Sequence, residues 1–585
     1  MKSINIFCIG LILMCFMACD LEEFPKDTAH RAGIFSSESG LILYSNSFYE
    51  MLPDADQGNF QVDDDSDLTA RTGVPTRFSP NALSAVTSSG WSWGNLRNIN
   101  YFIENCEHSS VPSKNHYLGM ARFFRAYFYF GMVKRFGNVP WYDKPIDAAD
   151  KETLYGTRDD RFFIMDKVLE DLNYAIANIT LESDPSMTQI SKNVARAFKT
   201  RVCLYEASLR KYHTAYGKQS TANTWFQEVV TTANQITGHK LSEGANVYRE
   251  MFLRKVPYTD ETLLCIALDA DLATYSSRNR RTVSPTYGNR PSFTRRFILT
   301  YLNADGTSYT MSNPSWETTT FVDEIKGRDS RLAATIRMPG YMRTENGAPT
   351  VAPPNLNQAW TGYQIIKGCV DERFPFDDES YNINAHHIFR YAEVLLNKAE
   401  ALVELGQMTA AAWTETIGAL RARAGITGPT LTTLPTVPDP YMVDFYDGKW
   451  TDPVMLEVLR ERCIELVTEG FRPDDLIRWR LGHLFADAPM NGMYIPALGA
   501  YDFNEDGIID AYFYQGTQPT GVTATSFVNV SPTTDVGQRQ LSDGTSGEIL
   551  YNPGAREWLD KKYLYPIPTT DLIRNPALGQ NPGWE

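Results

Sequence analysis

A short acidic loop near the carboxyl end of the chain has the residue types and spacing of a cation site. It reads Asp502-Phe-Asn504-Glu-Asp506-Gly507-Ile508-Ile-Asp510. Oxygen ligands then fall at the first, third, fifth and ninth positions of an EF-hand-like loop, with a carbonyl ligand at the seventh and a glycine turn at the sixth. Position twelve is Phe513, where a bidentate glutamate is usual, and D-x-N-x-D-G also forms plain Asx turns. The sequence therefore predicts a structural Ca²⁺ site at Asp502, Asn504, Asp506, Ile508 and Asp510, and no other cofactor.

No catalytic motif is recognisable in this chain. G-x-S-x-G, H-E-x-x-H, P-loop and dinucleotide fingerprints do not occur where their structural context would require them. The eight histidines are scattered, and the pair His386-His387 lacks the spacing of metal ligands. After Cys19, five widely spaced cysteines remain and none forms a C-x-x-C pair. We therefore expect buried free thiols rather than a zinc site or a disulfide framework.

Aromatic residues and net charge limit the classes of ligand. The chain contains 31 Tyr and 11 Trp, enough to form flat stacking surfaces in addition to the core. Its formal net charge is −15, whereas surfaces that bind a phosphate backbone are normally basic. We expect no nucleic-acid partner.

Hydrophobic periodicity predicts two groups of amphipathic helices that would position these residues. The first group covers 116–136, 162–178, 191–212 and 221–236, and the second covers 387–405, 409–424 and 452–469. The predicted fold class is mostly α, with tetratricopeptide-repeat-like helix pairs mainly over 116–237 and 387–470, although no clean 34-residue period is present. The segments 240–385 and 485–560 lack a long helical period, so we predict one interwoven domain, 41–585, with a large irregular loop-rich face for a ligand.

The amino terminus has the features of a secretory signal. Lys2 precedes an apolar stretch from Ile4 to Met17, which is too short to span a bilayer permanently. The stretch ends in Phe16-Met17-Ala18-Cys19, which resembles a bacterial lipobox, and acidic residues follow at once. We predict a lipoprotein signal peptide over 1–18, acylation of Cys19, and a lipidated tether over 19–40. An ordinary secretory signal with an incidental Cys19 is the alternative.

Five stretches, in order along the chain, carry a family resemblance. They are Ala121-Arg-Phe-Phe-Arg-Ala-Tyr-Phe-Tyr-Phe130 with Phe136-Gly-Asn-Val-Pro140; Arg390-Tyr-Ala-Glu-Val-Leu-Leu-Asn-Lys-Ala-Glu-Ala401; Leu420-Arg-Ala-Arg-Ala-Gly425; Arg460-Glu-Arg462 through Asp475-Leu-Ile-Arg-Trp479; and Tyr565-Pro-Ile-Pro568 with Gln580-Asn-Pro-Gly-Trp584. Together they resemble the SusD/RagB family of outer-membrane nutrient-binding lipoproteins.

The charged part of these stretches is interpreted as structural rather than catalytic. Arg460, Arg462, Glu465 and Glu469 lie at spacings that allow i,i+3 and i,i+4 ion pairs, with Arg472 and Asp475 joining near the helix end. Networked pairs of this kind commonly fix packing. We expect the proline-rich terminus to lie extended across the domain.

The resemblance implies a function and a candidate site. Such proteins are lipid-anchored on the extracellular face of the cell outer membrane, capture a glycan without catalysis, and act as a lid on a SusC-like TonB-dependent transporter. The family often places sugar-contacting residues in the loop that here contains Trp91, Trp93 and Asn95. In some relatives a matching acidic loop adds hydrogen bonds, and here that loop would contribute Asp64 and Arg71. Loop residues of the irregular segment complete the candidate set: Tyr287, Asn289, Trp316, Trp360 and Tyr363.

Two alternatives stay open at this point. A peptide-binding, RagB-like uptake lipoprotein is the first alternative. A secreted glycoside hydrolase needs two carboxylates about 5 to 9.5 Å apart, and the chain has 70 acidic residues that could supply such a pair.

Overall fold

The computed structural model describes residues 31–53, 63–284 and 286–585. The predicted signal peptide, Cys19 and the first part of the predicted tether lie outside these residues. The longer helices are Glu38–Asn46, Gly94–Glu107, Lys114–Phe136, Arg161–Asn178, Lys192–Tyr212, Ala222–Ala233, Tyr391–Glu404 and Pro453–Leu466. The shorter α-helices are Arg31–Phe35, Lys151–Leu154, Val247–Met251, Arg278–Thr282, Arg295–Ile298, Tyr309–Ser312, Phe321–Glu324, Ser330–Thr335, Ala410–Trp413, Ala419–Arg423, Pro440–Phe445, Arg472–Arg478, Leu484–Asp487 and Thr569–Arg574. The strands are Thr69–Ala70, Thr262–Ile266, Ser292–Phe293, Met342–Glu345, Ala348–Val351, Tyr363–Gln364, His386–Arg390, Asn491–Ile495, Gly499–Tyr501, Ala511–Tyr514, Ser526–Asn529, Arg539–Leu541 and Gly547–Tyr551.

Helix ends follow local capping chemistry. Ser191 caps Lys192–Tyr212 by accepting the Val194 N–H, and Asp160 caps Arg161–Asn178 by accepting the Phe162 N–H. The helix Lys114–Phe136 ends at Gly137, whose φ of +73° favours glycine. The helices predicted from sequence over the first group are confirmed to within a few residues.

The long helices pack as neighbouring pairs. Lys114–Phe136 lies between Gly94–Glu107 and Arg161–Asn178, and Lys192–Tyr212 packs on Ala222–Ala233. Tyr391–Glu404 contacts Ala222–Ala233 and Pro453–Leu466, which joins the two helix groups. A continuous hydrophobic cluster runs through both groups and through the irregular segments, from Phe35 to Leu578. The mostly α, helix-pair fold class is therefore confirmed.

Two predicted helices differ in the structure. The helix predicted over 387–405 begins at Tyr391, because His386–Arg390 is a strand paired antiparallel with Thr262–Ile266. The helix predicted over 409–424 contains a π-helical turn, Thr414–Gly418. There a Cβ on Gly418 would lie 2.0 Å from the Leu431 carbonyl oxygen, so only glycine fits this approach.

The segments predicted to lack long helices contain small sheets and helices of six residues or fewer. One three-stranded sheet has Ser292–Phe293 at its centre, between Thr69–Ala70 and Tyr363–Gln364. This sheet brings together loops that are far apart in the sequence. The five cysteines of the described chain, Cys106, Cys203, Cys265, Cys369 and Cys463, are buried free thiols, as predicted. In the described residues no helix combines the length and apolar character that crossing a bilayer requires.

Candidate ligand-binding site

A cleft of about 550 Å³ opens at the start of helix Gly94–Glu107 and is called the aromatic cleft below. Its other walls are the loop 140–155 and the carboxyl-terminal segment around Thr569–Arg574. Its aromatic and polar lining residues are Trp91, Trp93, Arg97, Asn100, Tyr142, Lys144, Tyr155, Asp571, Arg574 and Asn575. A cleft of this size, with aromatic rings and a few polar groups, is typical of a small-ligand site.

The two predicted tryptophans lie side by side in this cleft. Both are half-buried, and their ring centroids are 5.4 Å apart in an edge-to-face arrangement. Trp91 packs on Phe136 at 5.0 Å, and Trp93 packs on Tyr142 at 5.5 Å. The rings are thereby fixed in orientation while part of each remains exposed to the cleft. Such fixed planes can stack against the apolar C–H face of a sugar.

Polar groups in the aromatic cleft divide into a fixed wall and a charged rim. Buried Asn100 donates to the Tyr142 carbonyl oxygen at 2.8 Å, and buried Asn575 donates to that of Gly156 at 2.9 Å. Lys144 and Arg574 are exposed at the rim. Among the residues that line this cleft, Asp571 carries the one carboxylate, 3.7 Å from Arg574. The lining therefore lacks the pair of carboxylates that glycoside hydrolysis needs.

Asn95 is placed differently from its two predicted partners. It is exposed on the first turn of Gly94–Glu107 and is not among the residues that line the aromatic cleft. The side chain of Asp64 lies outside the described part of the structure. Its neighbour Asp65 forms an ion pair with Arg71, and burial raises the pKa of Asp65 although Arg71 opposes that shift.

Three other predicted residues, Arg71, Asn289 and Trp360, come together around Thr72 in a second place, called the Trp360 group, and Tyr287 lies two residues before Asn289 in the same loop. The N–H of Thr72 donates to the Asn289 carbonyl oxygen at 2.7 Å, and Trp360 Nε1 donates to Thr72 Oγ1 at 3.0 Å. Trp360 is half-buried and stacks on Tyr551 at 4.3 Å, while the Tyr287 side chain is 45% exposed. None of these residues lines the aromatic cleft. The structure thus divides the predicted site into two groups.

Besides Asn95, Tyr363 and Trp316 also belong to neither group. Tyr363 is fully buried, and its hydroxyl donates to Glu324 Oε1. Burial, with the nearby charge of Glu324, raises its pKa well above the ordinary value. Tyr363 is a core residue, and the structure removes it from the candidate site. Trp316 is half-buried and packs edge-to-face on Tyr441 at 5.4 Å.

The charged residues near 460–478 are buried, but their partners differ from those expected. Glu465 contacts Arg331, Arg390 and Arg423, and Glu469 contacts Lys367 and Arg390. Arg472 pairs with Asp67 of the acidic loop. The i,i+3 and i,i+4 pairing expected among Arg460, Arg462, Glu465 and Glu469 is therefore wrong, because the two carboxylates face other elements instead. Asp475 does join the network as expected, through its ion pair with Arg462 at 2.8 Å. A structural role follows from the burial.

The predicted calcium loop is a series of turns closed by its own carboxylates. Asp502 accepts the N–H groups of Asn504, Asp506 and Gly507, and Asp510 accepts that of Phe503 at 2.7 Å. Burial, with repulsion from Asp502 and Asp506, raises the pKa of Asp510 to about 6. Phe513 is buried in strand Ala511–Tyr514 and supplies no ligand. In the described residues no group of three His, Cys, Asp or Glu side chains is arranged to hold a metal ion. Calcium binding by Asp502, Asn504, Asp506, Ile508 and Asp510 stays a prediction.

Several cleft residues were not predicted from sequence. Tyr142, Tyr155 and Asn575 lie in loops or short helices that have no amphipathic period, and Asn575 is 484 residues from Trp91 in the sequence. Their meeting depends on how the carboxyl-terminal segment crosses the domain. There Tyr565 donates its N–H to the Arg135 carbonyl oxygen and Asn581 donates to that of Phe136. The extended terminus was predicted, whereas the helix Thr569–Arg574 within it was not.

Comparisons with known proteins agree with this architecture. A family model described as the SusD family matches residues 265–584, and a model described as starch-binding associating with outer membrane matches 66–194. A SusD-like protein from Formosa agariphila is 26% identical over 395 residues, which cover 64% of this chain and 69% of that protein. A crystal structure of a SusD-like protein from Bacteroides fragilis superposes with a TM-score of 0.67 at 21% identity, over 95% of this chain and 98% of that one. A SusD-like carbohydrate-binding protein from the same organism gives 0.66 at 21% identity, over 93% and 99%. The chain belongs to the SusD family.

Proposed function

We propose that this protein captures oligosaccharides or polysaccharides at the cell surface and delivers them, chemically unchanged, to a SusC-like TonB-dependent transporter. The observation that carries the proposal is the aromatic cleft, in which Trp91 and Trp93 are held by packing while their rings border open space. Sugars combine apolar faces with hydroxyl groups, so a site for them needs aromatic planes beside hydrogen-bonding groups. The name of one structural relative, a carbohydrate-binding protein, supports the same ligand class.

The anchor and the partner belong to the same proposal. Acyl chains on Cys19 would hold the protein on the extracellular face of the outer membrane, since two or more chains give stable anchoring. The lipobox-like sequence before Cys19 and the outer-membrane description of the second family model support this location. Capture beside a transporter raises the local ligand concentration, so modest affinity is sufficient for delivery.

The test is calorimetric titration of protein lacking residues 1–19 with a panel of oligosaccharides. Replacing Trp91 or Trp93 with alanine is expected to weaken binding by about 1 to 3 kcal/mol, or roughly 5- to 150-fold, because a fixed stacking plane is lost. Trp91→Ala is the cleaner variant, since Trp93 also packs on Phe128 and Tyr142. Trp316→Ala is the matched control, because Trp316 is a half-buried tryptophan outside both groups.

Each alternative has its own outcome in this experiment. Unchanged affinity in Trp91→Ala and Trp93→Ala, with loss in Trp360→Ala, would move the site to the Trp360 group. Tight binding of peptides without binding of saccharides would favour the RagB-like alternative. Release of reducing ends at enzymatic rates would refute a purely binding role.

A further inference from the structure

A second cleft, of about 590 Å³, is lined in part by the stretches 560–564 and 580–582 of the carboxyl-terminal segment and is called the basic cleft. Its charged and aromatic lining consists of Arg158, Arg161, Arg480, Lys561, Tyr216 and Tyr563, together with Asp560 and His213. Among the residues that the structure describes, none lines both clefts. The carboxyl-terminal segment connects the two clefts: Arg158 of the basic cleft donates from Nε, at 2.7 Å, to the carbonyl oxygen of Leu578, which lines the aromatic cleft.

Two of the cations in the basic cleft are neutralised by carboxylates. Arg161 pairs with buried Glu206 at 2.8 Å, and Arg480 pairs with Asp560 at 2.8 Å. The Arg161 side chain is 3% exposed and shares Glu206 with Arg210, which also lies 3.5 Å from Asp166. The side chains of Arg480 and Asp560 are 37% and 76% exposed, and an exposed pair of this kind exchanges partners at little cost.

The other two cations have no carboxylate partner among the described residues. Arg158 donates to the carbonyl oxygens of Leu578, Gln580 and Asn138 and to Asn581 Oδ1. These neutral acceptors satisfy its hydrogen bonds but leave its charge uncompensated, and burial lowers its pKa. The Lys561 ammonium group lies 4.4 Å from the centroid of the Trp584 ring and makes no hydrogen bond or ion pair within residues 31–53, 63–284 and 286–585. Partly desolvated charges without a counter-ion favour an anionic ligand.

The neighbourhood of His213 shows the same sign of potential. His213 is buried, and its Nε2 is 2.7 Å from the Ile477 carbonyl oxygen. Burial lowers its pKa to about 4, and the positive charges of Arg480 and Arg161 add to the shift. His213 is therefore neutral at physiological pH and adds no charge to the basic cleft, where Arg158 and Lys561 are the cations without a carboxylate partner. The basic cleft lies in a chain whose formal net charge is −15.

Aromatic rings accompany these charges. The Tyr216 side chain is 38% exposed at the basic cleft, and Tyr563 is half-buried beside it. An anionic group near Lys561 and Arg480, with a ring face near Tyr216, is the arrangement that recognises an acidic sugar. We infer that the basic cleft binds a saccharide that carries a carboxylate or a sulfate ester, separately from the aromatic cleft. That the anion belongs to a saccharide rests on the proposed function.

The test is affinity electrophoresis through native gels that contain polygalacturonate, carrageenan or a neutral galactan. The first two probes distinguish carboxylate from sulfate, and the third lacks charge. We expect at least one of the two acidic polysaccharides to retard the wild-type protein. Lys561→Gln should raise the dissociation constant obtained from that retardation about tenfold, because a charge-assisted contact is lost. Raising NaCl from about 0.05 to 0.5 M should weaken the retardation as well, since the charges are partly exposed.

Two controls separate this inference from the proposed function. Lys326→Gln removes the same charge from an exposed lysine that pairs with Asp323 and Glu505 elsewhere, and should leave retardation unchanged. Trp91→Ala should weaken retardation by neutral glycans and not by acidic ones.

The basic cleft is refuted as an anion site if neither acidic polysaccharide retards the wild type. The same conclusion follows if Lys561→Gln and Lys326→Gln behave alike, or if only Trp91→Ala weakens acidic binding. In each of these cases, neutral binding that depends on Trp91 would leave the proposed function standing.

Discussion

Replacing Glu465 with glutamine is expected to destabilise the fold strongly, because this carboxylate joins three arginines in the core. Its oxygens accept from Arg390 at 2.6 Å and from Arg331 at 2.9 Å, and also from Arg423. Glu465 and Arg331 are fully buried, and Arg390 is nearly so. The three arginines come from three separate parts of the chain, so Glu465 ties the irregular segment to the helices.

The magnitude follows from the number and burial of these contacts. Each hydrogen bond to a charged group contributes roughly 1.5 to 3 kcal/mol, and glutamine retains one accepting oxygen while turning an N–H₂ group toward guanidinium groups. Glu261 and Glu469 also form ion pairs with Arg390, so they would compensate part of the positive charge that the substitution leaves without a partner. Removing one partner of a buried ion pair costs about 3 to 5 kcal/mol, and we expect a loss in that range. Total stabilities are commonly about 5 to 15 kcal/mol, so the variant should be markedly less stable.

The assay is urea-induced unfolding at neutral pH, followed by tryptophan fluorescence and circular dichroism together. Glu243→Gln is the matched control, because Glu243 is 78% exposed in its ion pair with Lys240 and should change stability by less than about 0.5 kcal/mol. In the double variant Arg423→Met/Glu465→Gln the loss should be smaller than the sum of the single losses. A loss below about 1 kcal/mol in Glu465→Gln would refute the reasoning that this network holds the domain together.

Acid should weaken the same network. Burial alone would raise the pKa of Glu465, but Arg423, Arg390 and Arg331 outweigh it and hold that pKa well below the ordinary value. The unfolded chain then binds the proton first as pH falls. The contribution of Glu465 is therefore complete above its unfolded pKa of about 4.3 and is lost at lower pH.

Three further predictions concern separate parts of the chain. The pKa of His213 is about 4 in the folded protein, below its unfolded value of about 6.5, so the free energy of unfolding should decrease as the pH falls from about 6.5 to about 4 and the unfolded chain takes up the proton. His213→Gln should flatten that part of the pH–stability curve, and an unchanged slope would contradict this. If the 502–510 loop binds Ca²⁺, millimolar Ca²⁺ should raise the melting temperature above pH 7 more than below pH 5, because Asp510, with a pKa of about 6, must ionise to bind it. An unchanged melting temperature, or the same increase in Asp502→Asn, would refute the calcium hypothesis. Cys19→Ala should move the full-length protein from the membrane fraction to the soluble fraction, and retention in the membrane fraction would refute lipid anchoring at Cys19.

Some features could be predicted from sequence because the physics that sets them is local. The helix Lys192–Tyr212 has a 3.6-residue apolar period that predicts its bounds to within a residue, and Ser191 caps its amino end in the structure. Trp91 and Trp93 lie two residues apart in one loop, directly before the helix that begins at Gly94, so their proximity is set locally. The buried free cysteines followed from their spacing and apolar surroundings.

Other features depend on contacts between distant parts of the chain. Trp360 and Tyr363 are three residues apart in one loop-rich segment, yet Trp360 is half-buried beside Thr72 whereas Tyr363 is fully buried beside Glu324. A short strand pairing decides which side chain faces inward, and its partners are far away in sequence. Glu465 is likewise 134, 75 and 42 residues from its three arginines, so its helical spacing gave the wrong partners. The aromatic cleft needs the carboxyl-terminal segment to pack beside the loop 140–155. Local sequence therefore determined the helices and the tryptophan pair. Tertiary packing alone decided which loops meet to form each cleft, because contacts between distant residues leave no periodic pattern in the sequence.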